Sequence, residues 1–220
     1  MQSTRQTIFN RCMDWALDRR SIHRERVRAL APALGSILRR RDRHRAELGA
    51  YPDHVRAITS ITLEERLDER ARRRADARGI LVTHVSGDAE GLPFRDASFD
   101  TVVSTFLLCS VDDPPVAVRE FARVVRPGGN LLFLEHVISD HTFTRGLQRL
   151  AEVLHDKLSC GCSLTRDTQS MIAENGFAVQ ELIRHDLRGM LWIARPVIRG
   201  RASPIAAAAA ANVGREASHA

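Results

Sequence analysis

The 220-residue chain contains no run of eighteen apolar residues, so no stretch of it is suited to cross a bilayer as a helix. Its N-terminus carries charges where a secretory leader needs an apolar core, and the location expected from this is cytoplasmic. Cysteine is scarce: Cys12, Cys109, Cys160 and Cys162 suggest no disulfide framework. Cys160 and Cys162 are spaced too closely for a redox pair, and no second cluster completes a zinc site, so small thiols and no metal are expected. Aromatic residues make up 5% of the chain and are absent from the arginine-rich stretches Arg19–Arg45 and Arg66–Arg78. The net charge of +6 raises the question of nucleic acid, but basic faces without interleaved aromatics fit solvated surface better, and no nucleic-acid partner is expected. Glycine is missing altogether between Gly35 and Gly49.

What remains is an ordinary globular composition, 44% hydrophobic and 27% charged, long enough for one domain with a sizeable core plus appendages. Two stretches organise it. Gly87-Asp88-Ala89-Glu90-Gly91-Leu92-Pro93-Phe94, followed by Ser98-Phe99-Asp100 and then Thr101-Val102-Val103-Ser104, reads as loop, turn and a strand buried on both faces. Pro93 excludes a helix just before that strand. In Arg123-Val124-Val125-Arg126-Pro127-Gly128-Gly129 a helix is stopped, and Asn130-Leu131-Leu132-Phe133-Leu134-Glu135 begins a second apolar strand.

In this order and spacing the pair resembles the second half of a class I S-adenosylmethionine-dependent methyltransferase, nearest the branch with quinone-ring C-methyltransferases and small-molecule thiol methyltransferases. The resemblance runs from about Tyr51 to about Pro196. It implies a doubly wound α/β fold with a Rossmann-like sheet, mostly parallel, closed by an antiparallel hairpin. It also implies S-adenosylmethionine as cofactor and a small or lipophilic methyl acceptor. The position of Asp88 would accept from the adenine amino group and the Ala89 amide would meet a ring nitrogen, the pattern adenine requires. An ordinary turn role for Asp88 is the alternative, and Glu90 is read as serving the turn. Thr105 matches a cofactor-touching position, and Phe106 follows it at the carboxyl edge of the fourth strand. Leu107, Leu108 and Cys109 either line the pocket or belong to the core. His136 is a candidate base or orienting group, with a structural role as the alternative. Cys160-Gly161-Cys162-Ser163-Leu164-Thr165-Arg166 resembles a G-C-x-L-T-R stretch of the thiol-methyltransferase-like branch.

In chain order, Ile8–Leu34 is helical in pattern, with Ile8, Phe9, Cys12, Met13, Ala16 and Leu17 on one apolar face. Residues 1–34 are read as a helical cap, with peripheral membrane contact through the basic opposite face as a lesser option. Residues 35–198 form the methyltransferase-like domain and 199–220 an Ala-rich tail expected to be disordered. Strands are expected at Val55–Ile61 and Ile80–Val85, and helices at Leu63–Arg78, Pro114–Arg126, Phe143–Leu158 and Arg166–Asn175, the last capped by Thr165. Phe177–Arg184 and Met190–Val197 read as the closing hairpin.

The chain departs from the family where it should carry its first strand and a glycine-rich turn. Ser36-Ile37-Leu38-Arg39-Arg40-Arg41-Asp42-Arg43-His44-Arg45-Ala46-Glu47-Leu48 has no glycine, and three consecutive arginines are not expected in a doubly covered strand. The first strand and glycine loop are therefore expected to be disrupted. The acidic residue expected after the second strand is replaced by Thr62, with Glu64 and Glu65 just beyond. Three readings follow: a diverged basic loop in an active enzyme, a relic that has lost cofactor binding, or a compensated frameshift. Read one nucleotide later, Arg39–Leu48 can spell D-V-G-T-G-T-G-R-N-L, the missing motif in its proper place.

Overall fold

The structure is a computed structural model that describes residues 19–40, 45–62, 69–158 and 163–205. The described residues form seven strands: β1 (Ile37–Arg40), β2 (Ala57–Thr62), β3 (Leu81–Ser86), β4 (Phe99–Thr105), β5 (Val125–His136), β6 (Phe177–Asp186) and β7 (Pro196–Pro204). They form one sheet in the order β3-β2-β1-β4-β5-β7-β6. Pairs among β1 to β5 are parallel, and β7 runs antiparallel to both β5 and β6. Among the described residues, five helices accompany the sheet: α1 (Arg20–Leu30), α2 (Glu69–Ala77), α3 (Pro114–Val124), α4 (Thr142–Leu158) and α5 (Thr168–Glu174).

The central strands are apolar on consecutive residues because both faces are covered. Leu38, Val102 and Leu131 point into one cluster with Phe99, Phe121 and Ile172, while Ile37, Val103 and Leu132 point into the other with Tyr51, Ile58 and Ile80. Helix α3 starts as its sequence dictates: Asp113 accepts from the Val116 amide, and proline occupies the first turn. Its end at Val124 leads directly into β5, which includes Pro127-Gly128-Gly129. Gly128 has φ +81°, and a Cβ on Gly129 would stand 2.7 Å from the Asp100 carbonyl oxygen, so both glycines are required at this irregular start of the ladder.

Several expectations need correction. Ile37–Arg40 does form a strand, and it lies in the centre of the sheet between β2 and β4, although it is only four residues long. Arg39 is tolerated there because its charge is paired, as described below. Asp167, not Thr165, caps the helix after the Leu164-Thr165-Arg166 stretch, accepting from the Ser170 amide, and that helix runs Thr168–Glu174. The final hairpin strand begins at Pro196 instead of Met190, since a 3₁₀ turn at Trp192–Ala194 takes up the intervening residues. It continues to Pro204, so a domain boundary at residue 198 falls inside a strand. The apolar positions Ile8–Leu17, Glu64, Glu65, Cys12, Cys160, Cys162 and the Ala-rich run from residue 206 lie outside the described residues.

Candidate functional site

From β1 the chain steps outward to β2 and β3, then returns to place β4 on the other side of β1. This reversal makes the carboxyl ends of β1 and β4 a topological switch point, the place where open α/β sheets take ligands. Asp88 follows β3, Thr105 ends β4 and His136 ends β5, so the sequence-designated positions lie along one rim of the sheet.

The two signature stretches are bonded to each other. Arg123, from the second, donates to the Leu92 and Phe94 carbonyls of the first at 2.9 and 2.7 Å. Its guanidinium also pairs with Glu120 and Asp96 at 2.7 and 2.8 Å. Glu120 in turn accepts from the Leu92 amide at 2.8 Å. Its carboxyl is penalised by burial, yet bonds from Arg123 and Leu92 hold its pKa below the ordinary value. Glu90 accepts from the Asp113 amide at 2.8 Å, tying the turn to the start of α3. Arg126 pairs with Asp100 at 2.8 Å, and Asp100 accepts from the Ser36 amide and hydroxyl at 2.7 and 2.8 Å. Asp100 therefore sets the entry into β1, beside Gly35 at φ +63°.

Within the turn, the Ala89 amide donates to the Asp88 carboxylate at 2.5 Å, and Gly91 bonds back to the Asp88 carbonyl. Ala89 is buried in the same cluster as Leu107 and Leu108. The turn role weighed for Asp88 is thus present, and the two groups expected to meet adenine satisfy one another in this conformation.

Thr105 leads into Phe106, which has φ +52°, an uncommon conformation for a bulky residue and one that concentrates at functional sites. The strain is held by neighbours. Glu135 accepts from the Ser104 hydroxyl at 2.7 Å and from the Leu107 amide at 3.0 Å, bracketing Phe106, while the Phe106 amide donates to the Leu134 carbonyl. The Phe106 ring lies 4.8 Å from the His136 ring, and the Arg26 guanidinium of α1 sits 5.7 Å from its centroid. Arg26 and His136 are both buried, so α1 covers this end of the sheet. Leu107, Leu108 and Cys109 are buried, with at most 3% exposure. Arg166 donates to the Leu108 and Val111 carbonyls, so the Leu164-Thr165-Arg166 stretch fastens the loop after β4.

The residue that sequence reasoning missed is Glu47, on a 3₁₀ turn at Arg45–Ala50. Its carboxylate accepts from the Thr105 hydroxyl at 2.6 Å and from the Tyr51 hydroxyl at 2.9 Å. Arg39 approaches it at 3.8 Å and also donates to the Ser60 hydroxyl at 3.4 Å. All five residues are buried. Burial, and then the nearby Glu47 charge, push the Tyr51 hydroxyl well above its ordinary pKa, with Arg39 acting in the opposite sense. The presence of a buriable acid and a lone tyrosine near an arginine run was the available signal, but their convergence needed the fold.

At the rim, then, the Asp88-Ala89 pair is closed on itself and the Thr105 hydroxyl is taken by the Glu47 carboxylate. Among the described residues no group of His, Cys, Asp and Glu side chains is arranged to hold a metal ion, and no helix is long and apolar enough to cross a membrane.

Comparison with known proteins agrees with this architecture. The methyltransferase domain family matches residues 45–133, beginning after the central arginine run. Human thiol S-methyltransferase TMT1A is 36% identical over 109 residues, covering 49% of this chain and 44% of that protein. The ubiquinone/menaquinone biosynthesis C-methyltransferase UbiE of Shewanella sediminis is 31% identical over 117 residues, covering 51% and 45%. The chain thus spans less than half the length of these relatives. In fold it is similar to the N-methyltransferase NodS of Bradyrhizobium japonicum, solved with S-adenosyl-L-homocysteine, with TM-score 0.62 at 17% identity over 86% of this chain and 91% of that one. Sheet order and the likeness to solved structures define a Rossmann-like methyltransferase fold. Within it, residues 45–133 match the methyltransferase domain family.

Proposed function

We propose that this chain transfers a methyl group from S-adenosylmethionine to a small or lipophilic acceptor. The observation that carries the reading is the shared rim: the Asp88-Ala89 turn, Thr105 and the strained Phe106 all stand at the carboxyl edge around the switch point. In this reading Asp88 accepts from the adenine amino group, Ala89 donates to a ring nitrogen, and Thr105 and Phe106 border the cofactor. When bound, the cofactor supplies an electrophilic methyl carbon on a sulfonium. The chain's own task is then to align the acceptor and exclude water, and no catalytic triad is required. The cover of α1 over Phe106 and His136 serves that exclusion. His136 orients the acceptor or takes its proton. A thiol or a quinone ring carbon is the acceptor class that the named relatives suggest.

A second reading, a relic without cofactor binding, draws support from the Arg39–Glu47 network, which stands where the family carries glycine. Calorimetry with S-adenosylmethionine separates the two. Binding at micromolar strength supports the enzyme, and the absence of heat at millimolar ligand supports the relic. Where binding is found, product analysis with thiol and quinol acceptors assigns the acceptor class.

A further inference from the structure

We propose that Arg39, Tyr51 and Thr105 form a carboxylate-binding site that the chain's own Glu47 occupies, and that this occupant competes with the amino-acid carboxylate of the cofactor. The identity of the external ligand rests on the methyltransferase reading; the carboxylate site itself does not.

The composition of the site supports this. The Arg39 guanidinium, itself held by the Ser60 hydroxyl that accepts from its Nε, and the hydroxyls of Tyr51 and Thr105 converge on Glu47, and all of these residues are buried. Every donor suits a carboxylate, and apart from Glu47 the group carries a net positive charge. Glu47 presents both oxygens to it, Oε1 to Tyr51 and Oε2 to Thr105. It reaches the site from the Arg45–Ala50 turn, a six-residue 3₁₀ segment, and not from one of the strands. Leu48 and Ala50 of that turn are buried in the core, so the Glu47 side chain is the part that can leave the donors while the turn stays seated. Thr105, the position that resembles a cofactor contact, is thereby engaged by Glu47. An external carboxylate can meet the same donors only when the Glu47 carboxylate leaves them.

Removing Glu47 leaves the buried Arg39 charge uncompensated, which destabilises the chain and creates a demand for an anion. A small carboxylate that enters restores stability in proportion to its concentration. The test uses the full chain with Glu47→Ala and Glu47→Gln. Acetate, compared with chloride at equal ionic strength, should raise the melting temperature of Glu47→Ala while leaving wild type and the space-filling Glu47→Gln unmoved. S-adenosylhomocysteine should bind Glu47→Ala about tenfold or more tightly than wild type. Adenosine, which lacks the amino-acid carboxylate, should bind both alike. If Glu47→Ala does not fold, Glu47→Gln decides: loss of its charge should still tighten S-adenosylhomocysteine relative to adenosine.

Acetate no better than chloride overturns the carboxylate site. Unchanged or weaker S-adenosylhomocysteine binding, with adenosine still bound, overturns the competition. If neither adenosine nor S-adenosylhomocysteine binds wild type or variants, the methyltransferase reading fails, and the acetate comparison alone decides the site.

Discussion

Arg123 donates to the Phe94 carbonyl at 2.7 Å, across 29 residues of sequence, and so fastens the helix before the Pro-Gly-Gly turn to the loop that carries Asp88. The two stretches by which the chain resembles class I methyltransferases are one mechanical unit. Removing that guanidinium leaves two carbonyls and two carboxylates without their donor. Arg123→Ala should therefore lower unfolding stability by about 2–4 kcal/mol, read from the urea midpoint. Arg123→Lys should recover less than half of the loss, because an ammonium cannot reproduce the fork. Stability within experimental error of wild type would show that the clamp is dispensable.

Tyr51 is the only tyrosine in the chain, so its ionisation can be followed without interference. Burial, and then Glu47, hold its hydroxyl protonated well above the ordinary range. A raised folded pKa for this group contributes stability below its unfolded value near 10, and that stability falls as pH rises beyond it. Tyrosinate absorbance should appear only together with unfolding. Reversible ionisation of the folded chain near pH 10 would contradict the buried network.

Asp100 acts in the opposite pH range. The Ser36 amide, then Arg126, then the Ser36 hydroxyl hold its carboxyl below the ordinary value. Its contribution is present above the unfolded pKa and is lost as pH falls through the lower folded one. Wild type should lose its advantage over Asp100→Asn between about pH 5 and pH 2, measured by denaturation at each pH. A pH-independent difference would remove Asp100 from the account of how β1 is seated.

The segment Arg39–Leu48 makes a genetic prediction and a biochemical one. The frameshift reading requires codons at Arg41, Arg43 and Arg45 that yield glycine when read one nucleotide later. Placing glycine at these three positions should raise S-adenosylmethionine affinity by about tenfold or more, since backbone amides at a helix start can then approach the ligand. Unchanged affinity would count against the alignment of this loop with the family's turn.

Much of the fold was legible because burial on both faces forces consecutive apolar residues, as in Val102-Val103 and Leu131-Leu132. The rule fails at Arg39. A guanidinium is excluded from a central strand only while it is unpaired, and its partner Glu47 comes from a turn that no periodicity marks. The cap of the helix after Arg166 was misread because Thr165 and Asp167 compete as acceptors there. That Asp88, Thr105, Phe106 and His136 share one rim of the sheet could be read from the strand ends. The Glu135 bracket and the Arg26 cover depend on contacts between distant elements and could not.

The central claim is that the Asp88 turn and the Thr105 edge form one side of an adenosine pocket. It is tested most directly by titrating S-adenosylhomocysteine into wild type and Asp88→Ala in a calorimeter. The account predicts micromolar binding to wild type and binding about tenfold weaker to the variant. No heat at millimolar ligand, or equal affinity in both proteins, would contradict it.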